Sequence, residues 1–381
     1  MLTLIENGEI YAPQPLGRGS VLLLDGRIGK VGTVDRRAVE ALDLEHQVID
    51  ATGCIVTPGL IDPHEHLLGG SGEGGFSTQT PEITLNEIVT AGVTSVVGAL
   101  GVDTTMKTMA GLLARVKGLK EEGLSAFLWS GGYNVPPSTV TQSIRNDLMF
   151  IDEVVGAGEI AIADARGLCP QAPELAKLVL DTHVGGMLSG KAGVTHFHVG
   201  KHEQGLKRLR ELLEGDFAIT ADMLYPTHIN RSERLIDEAI ALADQGAHVD
   251  MDTVDGELAR WVQYYLEHGG RHEQLTISSD SGTTGPRKLF DEFRLAVTEA
   301  RIPLETMLPM LTTNTAQVLR LKTKGQLKAG FDSDVLVMRG DSLEIVHVIA
   351  RGTQMVKDGA LIVHEGFLET IERTIDLVGQ K

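Results

Sequence analysis

Two histidines one residue apart close an apolar run in TPGLIDPHEHLLGG, residues 57–70. In an extended strand, positions two apart share a face, so His64 and His66 point the same way and can chelate one divalent cation from a rigid element. Other apolar runs end in similar groups. His198 ends VTHFHVG, His228 ends the run reaching MLYPTH, and Asp280 ends LTISSDSG. The run EIAIADAR opens on Glu159 and carries Asp164 and Arg166. A solitary histidine is usually structural or solvated. Four of them with an aspartate, each at the end of a strand, read as a metal-ligand set. His196, on the strand of His198 but short of the loop, stands outside it. The glycines after His66 (Gly69, Gly70, Gly72, Gly74 and Gly75) let the next loop pass close to such a site.

Ligands so scattered need a scaffold that brings strand ends together. Short apolar runs alternate with segments of helical spacing, such as MAGLLARVKGLKEEG, APELAKLVLDTHVGG and RSERLIDEAIALADQG, several ending in glycine. Eight such βα units over about 230 residues predict a (β/α)8 TIM barrel, whose chemistry sits at the C-terminal strand ends. A doubly wound sheet is the rival fold, but no GxGxxG follows the first strand. Residues 1–56 and 321–381 read instead as short strands, with Asn7-Gly8, Asp25-Gly26 and Asp358-Gly359 as hairpin turns. The expected organisation is a small β-sandwich shared by both termini (1–56 and 321–381) around a catalytic barrel at 57–320.

Composition narrows the function. The chain has 381 residues, 42% of them hydrophobic, and a formal net charge of −18. That charge argues against nucleic acid and anionic membrane surfaces as partners. No apolar run is long enough to span a bilayer. The opening MLTLIENGEI lacks the flanks of a secretory signal, and two distant cysteines, Cys54 and Cys169, form no disulfide framework or zinc knuckle. A cytoplasmic location is expected.

TPGLIDPHEH resembles the PGxIDxHxH signature of the amidohydrolase superfamily, and GQLKAGFDSDVLVM resembles that family's return into its β-sandwich. Within it, GGSGEGGFSTQTPEITLNEIVTAGVTSVVGALGVD, SGGYNVPPSTVTQS, VGGMLSGKAGVTHFHVG, YPTHINR and SSDSG are most similar to segments of the β-aspartyl (isoaspartyl) dipeptidases, in the same order. The resemblance implies a metal-dependent hydrolase that cleaves an amide bond by attack of metal-activated water. It implies two Zn2+ ions: His64, His66 and Asp280 on one, His198 and His228 on the other. Asp280 is implied as general base and acid, Tyr133 as the hydrogen-bond donor to the developing oxyanion, and Glu73 as the partner of a substrate ammonium. Arg166, Arg231 and Thr284 are implied to receive substrate carboxylates. A dipeptide or small-molecule substrate and a homo-oligomer follow from the same resemblance.

One departure stands out. Where these dipeptidases carry a carboxylated lysine bridging the metals, this chain has Glu159. The charge and donor type survive, but the side chain is shorter by about three bonds, roughly 4 Å. Lys191 is the only nearby lysine that could substitute. The change leaves room for an N-acyl-amino-acid or cyclic-amide hydrolase. A metal-binding scaffold without turnover is a third reading, disfavoured by the presence of Asp280 and Tyr133.

Overall fold

The structure, a computed structural model, describes residues 2–372; the last nine residues of the expected C-terminal segment lie outside them. The chain first lays down β1 (Leu2–Tyr11), β2 (Pro15–Leu24), β3 (Arg27–Gly32), β4 (His46–Asp50) and β5 (Cys54–Pro58). The eight parallel strands follow: β6 (Leu60–Glu65), β7 (Val93–Gly98), β8 (Ser125–Ser130), β9 (Val154–Ile162), β10 (Val194–Val199), β11 (Leu224–Thr227), β12 (Val249–Asp252) and β13 (Leu275–Ser278). The chain then returns through β14 (Val335–Arg339), β15 (Ile345–Ala350), β16 (Thr353–Lys357) and β17 (Ala360–Leu361).

Strands from both ends of the chain share one nine-stranded mixed sheet, ordered β17-β16-β15-β14-β5-β1-β2-β3 with β4 on β1. The antiparallel pair β5–β14 joins the two halves. Its core is Ile5, Ile10, Val21, Leu23, Val56, Val335 and Val337. One expected hairpin is absent. Asn7 and Gly8 lie inside β1, where three residues of β1 oppose two of β2. The positive φ of Asn7 is spent on a bulge rather than on a turn. The Asp25-Gly26 and Asp358-Gly359 turns do connect their strands.

The parallel strands run in chain order. β6 to β11 form one six-stranded ladder, and β12 with β13 a separate pair. Sequential order without reversal excludes the doubly wound sheet. The sheet curls back on itself: Glu65 at the end of β6 bridges Ser281 just past β13. On the other side, Thr227 of β11 donates to Asp250 of β12 at 2.7 Å. Most strand residues are buried on both faces, as parallel strands covered by helices must be. The intervening helices show their stops and starts locally. Thr84 and Glu87 form a reciprocal cap at Leu85–Thr90, and Gly190 ends Ala172–Ser189 in the left-handed conformation. A separate apolar cluster of Ile61, Val97, Trp129, Val155, Val194 and Tyr225 packs with Ala316, Val318 and Leu319. His196 rests on this cluster, 4.8 Å from both the Trp129 and Tyr225 rings.

Candidate metal centre and substrate cavity

The ends of β6, β10, β11 and β13, with the interior of β9, deliver the six groups singled out as metal ligands to one place. The His64 and His66 rings lie 5.2 Å apart. His198 comes from β10; His228 and Asp280 each follow their strand in the left-handed conformation, which turns the side chain inward. Glu159 does not start its strand. It is the sixth of nine residues in β9 and is fully buried. Between Ala157 and Ile160 the β9 strand carries one more residue than its partner β10. This bulge re-aims Glu159 into the centre, and such a feature has no apolar–polar alternation to announce it.

Glu159 divides its two oxygens between two pairs of imidazoles. Oε2 lies 3.2 Å from His64 Nε2 and 3.8 Å from His66 Nε2. Oε1 lies 2.5 Å from His198 Nδ1 and 3.2 Å from His228 Nε2. Asp280 Oδ1 stands 3.0 Å from His66 Nε2 and 3.6 Å from His64 Nε2. The sets His64–His66–Glu159, His64–His228–Asp280 and Glu159–His198–His228 each gather their ligand atoms within 4.8 Å. His64 Nε2 and Glu159 Oε2 are buried without any hydrogen-bond partner. A ring nitrogen and a carboxylate oxygen left without a hydrogen bond are costly in a folded interior. A divalent cation between imidazole and carboxylate satisfies both, so the residues fit a metal.

The far side of each imidazole is held as well. His66 Nδ1 faces Ala99 O at 3.3 Å, His64 Nδ1 faces His196 Nε2 at 3.2 Å, His228 Nδ1 faces Asp252 Oδ2 at 2.8 Å, and His198 Nε2 faces Asp164 Oδ2 at 2.9 Å. Outer partners of this kind fix ring orientation in metal sites. Asp62 Oδ1 accepts from the backbone N–H groups of His64 and Ser279, both at 3.2 Å, and so ties the ends of β6 and β13 together. Asp252 is the last residue of β12, so it was legible by the strand-end rule, but no residue of that strand was singled out. Asp62, Asp164 and His196 share the same stretches as the primary groups and carry no distinguishing spacing.

The electrostatics follow from this packing. Burial opposes ionisation of Glu159, but His64 and His198 outweigh it and hold the carboxyl well below its usual range. Asp280 behaves alike: burial would raise it, and His228, His64 and His66 keep it low. Conversely, burial pulls His64 down, while Glu159 and Asp280 push it up to about 10. Tyr133 is pushed well above its ordinary value by burial and then by Glu159, so its hydroxyl stays protonated as a donor.

A cavity of about 710 Å³ opens over the cluster, lined by His66, Glu73, Tyr133, Arg166, His198, Arg231 and Asp280 among others. The Tyr133 hydroxyl is 2.9 Å from His198 Nδ1. Arg166 bonds Asp164 through Nε and Nη2 at 3.0 and 2.8 Å, and reaches Glu73 with Nη1 at 2.7 Å. Arg231 donates to Val199 O. Thr283 lines the cavity, and the neighbouring Thr284 Oγ1 is buried without a hydrogen-bond partner. Lys191 is not at the centre: its ammonium donates to Ile151 O, ahead of the start of β9. Close approach of the loops depends on small residues, since a Cβ on Gly70 would stand 2.8 Å from Thr283.

A curled parallel sheet with a histidine and carboxylate cluster at its C-terminal rim defines a metal-dependent hydrolase type of scaffold. The chain belongs to the amidohydrolase family, whose model matches residues 55–357. Among solved structures it is similar to the β-aspartyl dipeptidase of the thermophilic keratin-degrading Fervidobacterium islandicum AW-1, at TM-score 0.90 and 37% identity over 96% of this chain and 99% of that one. The same dipeptidase in complex with the β-Asp-Leu dipeptide matches at TM-score 0.89 and 36% identity, over 96% of this chain and 98% of that one. Among curated relatives, an imidazolonepropionase of Brevibacillus brevis is 46% identical over 77 residues, which is 19% of this chain and 18% of that protein. An adenine deaminase of Halalkalibacterium halodurans is 24% identical over 94% of this chain and 58% of its own length. The chain thus spans under two thirds of these curated relatives. Among the described residues no helix is long and apolar enough to cross a membrane.

Proposed function

We propose that this chain is a binuclear zinc hydrolase of β-aspartyl (isoaspartyl) dipeptides, with His64, His66, Glu159, His198, His228 and Asp280 as ligands. The observation that carries the reading is that the guanidinium groups of Arg166 and Arg231 and the carboxylate of Glu73 line the cavity beside the cluster, among further charged groups that include Lys201, Asp164 and Asp255. A β-aspartyl dipeptide presents partners for these three, two carboxylates and one ammonium. Guanidinium groups take carboxylates in paired hydrogen bonds, which fixes the peptide as well as binding it.

Bound cations would supply Lewis-acid activation of a water and of the scissile carbonyl. The protein's own groups do the rest. Glu73 releases Arg166 to take the substrate ammonium, and Arg166 and Arg231 take the carboxylates. Tyr133, protonated and buried, donates to the oxygen that gains negative charge. Asp280, held as a carboxylate, accepts the proton of the attacking water and passes it to the departing amine. The organisation into a 57–320 catalytic barrel and a two-part terminal sandwich, a cytoplasmic location and a homo-oligomeric state belong to the same proposal, supported by the likeness to the dipeptidase.

A second reading has one observation in its favour. Glu73 and Arg166 are already paired at 2.7 Å. A substrate with one carboxylate and no ammonium, such as an N-acyl amino acid, leaves that pair intact and uses Arg231 alone. Metal analysis followed by assay on β-Asp-Leu and on N-acetylated amino acids separates the two. Turnover of β-Asp-Leu with about two metals per chain is the expected result. Turnover of acylated amino acids only would replace the first reading by the second, and bound metal with turnover of neither would return the protein to a scaffold.

A further inference from the structure

His196 takes no part in the chemistry above, yet it is enclosed on every side. It is fully buried, and its ring stacks on Trp129 with centroids 4.8 Å apart and planes at 15°. Trp129 is itself anchored by its indole N–H to Pro63 O, at 2.9 Å, one residue before His64. Behind the ring, a Cβ on Gly158 would come within 2.7 Å of His196 Cβ. The bulge glycine that aims Glu159 therefore also closes the pocket of His196.

The two ring nitrogens face defined partners. Nδ1 is 3.0 Å from Tyr225 O, and Nε2 is 3.2 Å from His64 Nδ1. A carbonyl oxygen can only accept, so His196 carries its proton on Nδ1. In the neutral ring Nε2 then holds a lone pair, and the hydrogen bond to His64 exists only if His64 Nδ1 carries the proton. Once His64 gives up its second proton to bind a metal, that leaves its lone pair on Nε2, the atom beside Glu159 and Asp280. We propose that His196 is a positioning residue, which transmits the polarity of the Tyr225 carbonyl to His64 and makes Nε2 its ligating atom. The outer acceptors of His66, His228 and His198 are oxygens, which need no such instruction. At His64 the acceptor is an imidazole, and the Tyr225 carbonyl decides its tautomer.

The inference rests on the metal-binding part of the proposed function, and its test keeps the two apart. Metal-stripped wild type, His196→Leu and His196→Gln are titrated with zinc against a chelator. Leucine removes both hydrogen bonds; the glutamine amide offers one donor and one acceptor across a single carbon, as the ring does. Loss of an outer partner typically weakens metal binding about 10–100-fold. That loss is expected for His196→Leu, with His196→Gln within about threefold of wild type. Wild-type affinity in folded His196→Leu overturns the relay, as does glutamine binding as weakly as leucine. Should His196→Leu fail to fold, wild type loaded with cadmium-113 decides: coupling to His64 Nε2 is expected, and coupling through Nδ1 overturns the inference. A wild type that binds neither ion removes the metal reading itself.

Discussion

Glu159 shows what a single residue type can and cannot reveal. Its identity as an acid in place of a lysine was readable, and so was the charge it would bring. Its place in the strand was not, because the stretch before it is written only in small residues, GAG, that serve equally well as a turn. With it in place, the centre is a lattice of opposite charges whose protonation is coupled to folding. His64 rises from 6.5 to about 10 in the folded chain. A raised histidine stabilises fully below its unfolded value and loses that contribution as pH climbs through its folded value. Glu159 and Asp280, both lowered, contribute above the ordinary carboxylate range and lose their contribution as pH falls towards their folded values. The metal-free protein is therefore expected to lose thermal stability between pH 6.5 and 10. The zinc-loaded protein, whose ligands need the same imidazoles deprotonated, should gain on it over that window. Melting curves with and without chelator check this, and a metal-free transition that stays level or rises from pH 6.5 to 10 would contradict it. Asp280→Asn tests the same cluster chemically. Removing the proton acceptor should cut kcat for β-Asp-Leu by about 10²–10⁴-fold in a protein that still folds. Turnover within a few-fold of wild type would remove Asp280 from that role.

At the scale of the element, β9 is the strand on which the site turns. Strand order and the ends of β6, β10, β11 and β13 were legible because buried parallel strands are plain apolar runs and the polar residue that ends each run is conspicuous. Bulges break that legibility twice, at Asn7-Gly8 in β1 and at Gly158 in β9. At Gly158 the bulge has a measurable requirement: a methyl group would meet His196 Cβ at 2.7 Å and His196 O at 2.9 Å, and the latter is backbone that cannot swing away. Gly158→Ala is expected to cost about 1–3 kcal/mol by overpacking. It should also lower bound metal, because Glu159 is displaced with the bulge. Gly118→Ala is the matched control. That residue sits in the helix Met109–Glu121 with nothing within 4 Å of a Cβ, so the change should be neutral or stabilising by up to about 1 kcal/mol. Equal denaturation midpoints and metal contents for the two variants would show that the bulge tolerates a side chain.

For the whole molecule, the question is how the nine-stranded sheet is fastened to the strands that carry the site. The shared sheet was legible from the alternation at both ends of the chain; the fastening was not, because nothing in TKGQLKAGFDSD, read there only as the return into the sheet, marks Lys324 as buried. Lys324 there is buried, and its ammonium lies 2.5 Å from Asp334 Oδ2 and 2.9 Å from Asp332 Oδ2. Asp334, also buried, accepts from Arg351 N with its other oxygen at 2.8 Å, and its carbonyl receives Gly59 N–H at 3.0 Å. One ion pair thus meets the entry to β6, the start of β14 and the end of β15. A buried pair adds little over a well-packed apolar substitute, but losing one member strands the other charge. Lys324→Met should therefore cost about 3–5 kcal/mol. Lys324→Met with Asp334→Leu should recover much of that loss, although Arg351 N then lacks its acceptor. Urea unfolding of the single and double variants measures both. If the pair acts as a fastening between the two sheets, the single variant will also separate the transition into two steps, with the sheet of β1–β5 and β14–β17 melting first. A single variant with the wild-type midpoint would mean that solvent reaches the charge and that the apolar faces alone hold the two sheets together.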